Sequence, residues 1–247
     1  MIDFEFLGST LFKLMGALPT TLGLFFASLA LGLCLSLGVV ALRVNRRPWL
    51  SYPARGYIAL FRGTPLLVQM FLIYYGLGQF PEVRQSFAWV VLRSPYACAV
   101  LSLALCTAGY TAEIIRGGLL SVPQGQIEAG LAIGLSRWHL LRRIIAPITL
   151  RQALPAYSTE AILLVKSTAL ASLVTVWDVT GVAQQIIQRS YRTLEVFACA
   201  AAIYLVLNFL VVRAVAWLEH RLAVPTRPLE SDAPAQAAAP LPADPRR

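Results

Sequence analysis

The sequence predicts an all-α membrane protein with five transmembrane helices, and three observations support this fold class. Of the 247 residues, 57% are apolar and only 13% are charged, which is far from the composition of an ordinary soluble domain. Five apolar stretches are each long enough to cross the hydrocarbon core as a helix. The arginines are concentrated in alternate loops, as expected for a chain that crosses the membrane several times.

The five predicted spans differ in regularity. The first, third and fifth are continuous, whereas the second and fourth carry breaks. At about 20 residues for each crossing, the spans are Leu18 to Leu42, Tyr57 to Phe80, Tyr96 to Ile115, Ala153 to Trp177 and Val196 to Leu218.

The positions of the arginines predict the orientation, because short loops rich in Lys and Arg stay in the cytoplasm. The loops after the second and fourth spans hold two arginines each. The N-terminus is therefore expected outside and the C-terminus in the cytoplasm, and the net charge of +9 requires no nucleic acid as a partner. The arginines of the two basic loops are Arg43, Arg46, Arg47 and Arg55 after the first span, and Arg116, Arg137, Arg142, Arg143 and Arg151 after the third.

The two ends of the chain differ from its apolar middle. Residues 1–17 are expected to form an N-terminal periplasmic segment without a cleaved signal peptide, because Asp3 and Glu5 stand where a signal peptide is basic. Residues 225–247 are dense in Pro and Ala and have no apolar period, so they predict a disordered cytoplasmic tail. Residues 18–224 are interpreted as one transmembrane domain.

The long basic loop at residues 116–152 is predicted to form two short helices on the cytoplasmic face. Ser121 is a candidate N-cap of the first helix, and Gly134 ends it; Ser136 can cap the second helix, which Pro147 ends. Apolar residues recur at helical spacing in the second helix, while its arginines remain for water or lipid headgroups. Such a pair lies on a bilayer rather than across it.

Glu160 and Lys166 are the ionisable residues that most need an explanation, because both fall within the fourth span, where an ionised side chain must face protein or water. They are about 120° apart on a helix, so they are not expected to pair directly. The run Lys166, Ser167 and Thr168 indicates a broken helix, a device that places backbone dipoles near a transported solute. Glu160 either faces a cationic solute or contacts another helix. Its candidate neighbours by helix depth are Tyr110 and Gln69.

Two further polar groups lie near the cytoplasmic ends of the second and third spans. Glu113 and Arg116 are three residues apart on one helical face, which favours an ion pair, although a place in a transport path stays open. Arg62 is either an interfacial arginine before a helix that starts at Pro65, or part of a gate.

The residues predict no enzyme, cofactor or metal site in this chain. The four cysteines fall inside apolar spans without metal-like spacing, and His139 and His220 have no nearby catalytic partner. The chain also lacks a GxxxxGK[ST] loop for nucleotide phosphates.

The basic loop resembles the cytoplasmic EAA loop of bacterial ABC importer permeases, in which EAA is followed after three residues by Gly, and after nine more by I, any residue, L and P. Glu128, Ala129 and Gly134 fit at the right spacing, as do Ile144 and Pro147. The sequence departs from the pattern at two positions. The third small residue is Gly130, which loosens the helix by up to about 1 kcal/mol relative to Ala, and Ala146 replaces the Leu.

Three further segments are similar to the polar amino-acid branch of this family, and together with the loop the resemblance covers Thr20 to Leu222. The last of them looks most like subunits for basic amino acids, of the histidine, lysine, arginine and ornithine type, and for opines. The segments are FRGTPLLVQMFLIYYG from Phe61, GYTAEIIRGGLLSVPQGQIEAG from Gly109 and LPAYSTEAILLVKSTALASLVTVWDV from Leu154.

The resemblance implies a type I importer fold in the bacterial inner membrane. Two permease subunits, identical or different, would form the path for an amino acid, two separate ATPase subunits would bind the cytoplasmic loops, and a periplasmic binding protein would deliver the solute. Any ATP would then be hydrolysed by the partner. The implied ATPase-coupling residues are Glu128, Ala129, Gly130, Gly134 and Arg137. A gated channel and a membrane scaffold with a basic docking loop are the alternatives from other classes.

Overall fold

The computed structural model describes residues 3–45 and 47–222, and this part of the chain is helical with no strand. The predicted tail at residues 225–247 lies outside the described residues. The helices are α1 (Phe4–Arg43), α2 (Pro48–Gly63), α3 (Leu66–Phe71), α4 (Pro81–Gln85), α5 (Trp89–Leu92), α6 (Pro95–Leu120), α7 (Gln124–Ala132), α8 (Arg137–Leu140), α9 (Ala146–Ser167), α10 (Val179–Ser190) and α11 (Thr193–Leu222).

Three helices, α1, α6 and α11, are individually long and apolar enough to cross a membrane. Two bent segments meet the same criterion when each is counted as one span. The first joins α2 to α3 with its following turns and bends by 106°, and the second joins α8 and α9 to α10 and bends by 50°. The described residues therefore offer three to five crossings, and the two bent ones correspond to the predicted spans that carry breaks.

The first helix begins at Phe4, ahead of the predicted span that starts at Leu18, and its N-terminus is capped and held. The Asp3 carboxylate accepts a hydrogen bond of 3.0 Å from the Phe6 amide, as an N-cap does. It also accepts one of 2.9 Å from the Arg192 guanidinium, which lies over the Phe6 ring. The Phe6 amide and Arg192 hold the pKa of Asp3 below its usual range. The start of α1 is thereby attached to the residue before α11.

The break in the second span is a local consequence of Pro65. Thr64 ends α2 in an extended conformation, as the residue before a proline prefers, and α3 starts at Leu66, so the predicted helix start at Pro65 is confirmed. The buried Gln69 amide then donates 3.0 Å hydrogen bonds to the carbonyls of Phe61 and Thr64. These bonds satisfy backbone groups that the sharp bend would otherwise leave unpaired.

Two sequence predictions for the basic loop are wrong. Ser121 is not an N-cap, because α6 continues to Leu120 and Ser121 is its C-cap, while the next helix starts after Pro123. Pro147 does not end the second helix. A π turn at Leu141–Ile145 precedes it, so the regular hydrogen-bond ladder is already interrupted where the proline lacks an N–H, and the chain continues into α9.

Helix α6 is central to the bundle and packs most extensively against α1 and α9. Its buried face consists largely of Ala, Ser, Thr and Gly, the residue types that let membrane helices approach closely. One close backbone approach is at Gly118, where an added Cβ would lie 2.7 Å from the carbonyl oxygen of Thr149 on α9. At the neighbouring Gly117, an added Cβ would meet open space.

We therefore expect Gly118→Ala to separate α6 from α9 and lower stability by about 1–3 kcal/mol, the usual cost of overpacking. Gly117→Ala is the matched control, because it gains helix propensity without a clash. The measurement is the melting temperature of the purified protein in detergent. Equal melting temperatures for the two variants would show that the Gly118 contact is unimportant.

Candidate functional site

A cavity of about 310 Å³, with hydroxyl and carboxyl groups among mostly apolar walls, opens where the α2–α3 bend meets α6 and α9. The bend contributes backbone and hydroxyl groups, α6 contributes a face with threonine and tyrosine, and α9 contributes its one acidic residue. The lining residues are Thr64, Pro65, Leu66, Leu103, Cys106, Thr107, Tyr110, Glu160, Leu163, Leu164 and Ser167.

Glu160 is the acidic group of this cavity. The residue is only 8% exposed, and within the described part of the chain no basic side chain lies in salt-bridge contact with it. Thr107 and Tyr110 line the same space from α6. A buried carboxylate that makes no salt bridge with the described residues, but borders a cavity, can accept hydrogen bonds from a group that enters the cavity.

Only some of the residues predicted near a transported solute lie together in the cavity. Tyr110 and Ser167 share the cavity with Glu160. Gln69 is buried near the bend and bonds Thr64, so its visible role is to hold the bend. Lys166 is exposed and is not among the lining residues, which agrees with its predicted angular separation from Glu160.

Sequence reasoning missed Thr107, Cys106 and Thr64 as cavity residues. Thr107 precedes Tyr110 by three residues and therefore shares its helical face, so the spacing alone could have identified it. No sequence spacing could have identified Thr64, because its position in the cavity depends on the angle of the α2–α3 bend. Arg62 also lies close by, with its guanidinium carbon 5.0 Å from the centre of the Tyr110 ring.

A second charged group holds α1 against α6. Glu113 accepts a 2.7 Å hydrogen bond from Arg116, which confirms the predicted ion pair, and a nitrogen of Arg43 lies 3.5 Å from the same carboxylate. Glu113 thus joins side chains from two helices, and its visible role is to hold those helices together.

The basic loop forms a compact helix pair. The chain turns between α7 and α8 at Gly134, which has φ of +78°. Leu135 donates a hydrogen bond to the Gly130 carbonyl and Gly134 donates one to Leu131, which is the Schellman pattern for ending a helix. Ser136 then caps α8 as predicted, by accepting from the His139 amide.

The predicted coupling residues lie on this pair with different exposures. Glu128, Ala129, Gly134 and Arg137 are at least partly exposed, whereas Gly130 is buried. An added Cβ at Gly130 would lie 2.7 Å from Leu140 and 2.9 Å from Ile144, so glycine lets α7 pack directly on the following turns. Close packing therefore opposes the loosening of α7 that the low helix propensity of Gly130 predicts. Leu131 is exposed and belongs to the outer face of α7.

Comparison with known proteins gives consistent matches over most of the chain. Residues 28–224 match a family model described as "Binding-protein-dependent transport system inner membrane component". The chain is 56% identical over 220 residues to the octopine transport system permease protein OccM of Rhizobium radiobacter, which covers 89% of this chain and 90% of that protein. It is 50% identical over 215 residues to the nopaline transport system permease protein NocM of Agrobacterium fabrum, with 87% and 89% covered.

More distant matches extend the comparison to a solved structure. The arginine ABC transporter permease protein ArtM of Escherichia coli is 40% identical over 210 residues, 85% of this chain and 94% of that protein. A chain from the structure described as "Crystal structure of an amino acid ABC transporter with histidines" superposes with a TM-score of 0.78 at 30% identity, covering 90% of this chain and 99% of that chain.

Proposed function

Because this chain belongs to the family of binding-protein-dependent transport system inner membrane components, we propose that it is the permease subunit of an ATP-driven importer for cationic amino acids or opines. The relatives named for octopine, nopaline and arginine transport support this substrate class. The all-helical fold is like that of a type I importer permease. The chain itself is a transport subunit and not an enzyme.

The observation that carries the solute assignment is the cavity around Glu160. Arginine presents a permanently charged guanidinium with several donors, and Glu160 supplies a buried acceptor that makes no salt bridge with the described residues. Tyr110 and Thr107 add an aromatic face and a hydroxyl on the same side. We assign Glu160, Tyr110 and Ser167 to the solute path, with Gln69 supporting the bend and Lys166 outside the cavity.

The partners follow from the family and from the shape of the basic loop. An importer permease works with an ATPase and a solute-binding protein, and we propose two ATPases and a second permease subunit, identical or different, in the complete complex. The exposed face of α7 with Glu128 and Ala129, ended by Gly134 and followed by Arg137, is our proposed ATPase contact.

Uptake of radiolabelled arginine or octopine into proteoliposomes tests this function. The permease is reconstituted with its ATPase and binding protein, and ATP is supplied on the ATPase side. We expect uptake that requires ATP and the binding protein, and unlabelled glutamate, whose side chain is anionic, should not compete. Uptake without ATP would indicate a channel, and binding of the ATPase without uptake would indicate a scaffold.

For the membrane arrangement we propose five crossings in the bacterial inner membrane, with the N-terminus outside and the C-terminus in the cytoplasm. The two bent segments then count as one span each. The basic residues near α2 and on the helix pair support this orientation.

Thiol labelling checks the orientation in intact cells. After replacement of the four native cysteines, we expect Pro48→Cys and Gln124→Cys to be shielded from an impermeant thiol reagent and Pro81→Cys to be labelled. Permeabilised cells control for reactivity at each position. Labelling of Gln124→Cys from outside would invert the arrangement and contradict an ATPase contact at α7.

A further inference from the structure

A second cavity, separate from the one that Glu160 lines, is an apolar groove of about 530 Å³ between α1, α9 and α11. Its walls include Phe26 from α1, Leu154 from α9, and Leu210, Ala214 and Leu218 from α11. Phe26, Leu210 and Leu218 are each about half exposed on the side of the bundle. The groove therefore opens on the side of the bundle, where lipid surrounds membrane-spanning helices.

Water is a poor occupant of this groove. A stable buried water needs several polar partners, and the groove walls are almost entirely hydrocarbon and aromatic carbon. In a bilayer, lipid acyl chains surround such helices and fill apolar recesses without any desolvation cost.

Two basic residues lie just beyond one end of the groove. The α11 residues that line the groove are spaced three and four apart and therefore lie on one face of the helix, which they follow as far as Leu218. The next residue on this face is Arg221. On α9, the position one turn before Leu154 is Arg151.

Helices α1 and α11 start at the same end of the bundle, where Asp3 contacts Arg192. Helix α6 runs parallel to α1, and α9 runs opposite to α6, because Gly118 near the end of α6 lies against Thr149 near the start of α9. Arg151 near the start of α9 and Arg221 near the end of α11 therefore lie toward the same end of the bundle.

These arginines are available for a ligand. Both are exposed, and within residues 3–45 and 47–222 neither makes a salt bridge. The Arg221 guanidinium carbon lies 5.1 Å from the centre of the Trp217 ring, which is 60% exposed. Tryptophan is enriched at the headgroup level of membranes, so the contact with Trp217 favours a position of Arg221 near lipid headgroups.

We propose that the groove binds one acyl chain of an anionic phospholipid whose phosphate contacts Arg151 and Arg221. Basic pockets between transmembrane helices are suited to anionic headgroups. In the proposed orientation the lipid belongs to the cytoplasmic leaflet, and only this choice of leaflet rests on the proposed function.

Charge argues against a second copy of the chain as the occupant. In a two-fold symmetric contact the same surface faces itself, so Arg151 and Arg221 of one copy would meet those of the other. Like charges brought together across an interface are repulsive. An anionic lipid instead neutralises both arginines.

Native mass spectrometry of the purified complex with its ATPase tests the proposal. The complex is incubated with equal amounts of phosphatidylglycerol and phosphatidylcholine of the same acyl chains. We expect preferential retention of phosphatidylglycerol, reduced about fivefold for each charge removed by Arg151→Gln and Arg221→Gln. Arg84→Gln with Arg189→Gln, two exposed arginines elsewhere on the molecule, is the matched control and should retain the wild-type amount.

Ala214→Trp supplies a test that leaves the charges in place. Its side chain fills the groove, so retention of phosphatidylglycerol should fall although both arginines remain. Equal retention of the two lipids by the wild-type complex would overturn the proposal. Unchanged retention in the variant that carries both Arg151→Gln and Arg221→Gln, or in Ala214→Trp, would overturn it as well. A disulfide crosslink between two copies through Ala214→Cys would also overturn it, because that direct contact places a second copy in the groove.

The uptake assay remains independent of these measurements. A wild-type complex that retains the two lipids equally and still takes up solute with ATP contradicts the lipid site alone. Selective retention in a complex that never transports supports the lipid site and contradicts the proposed function.

Discussion

Glu160→Gln should reduce uptake of arginine or octopine on the order of thirtyfold or more at limiting solute, because loss of one partner of a buried charge pair costs about 2 kcal/mol or more. Gln keeps the size of the side chain and an acceptor oxygen, so packing against α6 should be retained. The charge that faces the cavity is removed, and a cationic solute then loses its compensating group.

The measurement is initial uptake in proteoliposomes, with ATP hydrolysis followed in the same preparation. Basal hydrolysis should be little changed, because Glu160 is buried beside the cavity and is not part of the exposed α7 face. Glu82→Gln, which neutralises an exposed carboxylate on α4, is the matched control and should transport normally. Normal uptake by Glu160→Gln would assign this residue to helix packing, the other interpretation that the sequence left open.

Gly134→Val should disconnect ATP hydrolysis from transport. Gly134 has a left-handed backbone with φ of +78°, and no neighbouring atom lies within 4 Å of an added Cβ, so the effect comes from the backbone and not from a clash. A non-glycine residue pays about 1–2 kcal/mol in this conformation, and a β-branched side chain is among the least tolerant. The turn that orients α7 on α8 would therefore rearrange.

Asparagine is the matched control at this position, because it adopts the left-handed conformation more readily than other residues. We expect Gly134→Asn to retain most solute-stimulated uptake and Gly134→Val to lose most of it, with both proteins inserted in similar amounts. The assay compares uptake with binding-protein-stimulated hydrolysis. Similar uptake by the two variants would argue against a coupling role for this turn.

Features that depend on nearby residues could be predicted from the sequence. The apolar stretches identified the long helices, Pro65 identified the start of α3, and the spacing of Glu113 and Arg116 identified their ion pair. Gly134 ends α7 as the sequence predicts. In each case the cause is steric or electrostatic and acts within about one helical turn.

Predictions from the sequence were wrong where the same residue type is compatible with two local structures. Ser121 has the chemistry of an N-cap, but its position is set by how far α6 continues. Pro147 commonly ends a helix, yet a preceding π turn accommodates it here. Asp3 caps a helix that begins ahead of the predicted span, and its contact with Arg192 comes from a residue distant in sequence.

By itself, then, the sequence determined the helical membrane fold, the basic helix pair and the presence of one acidic residue well inside a span. Only the tertiary structure decided that Glu160 shares a cavity with Tyr110 and Ser167 while Lys166 does not, and that Gly130 is a packing position. The physical reason is the distance along the chain over which the responsible interactions act. Helix formation and turns respond to neighbours along the chain, whereas a cavity depends on the angles and spacing at which separate helices pack.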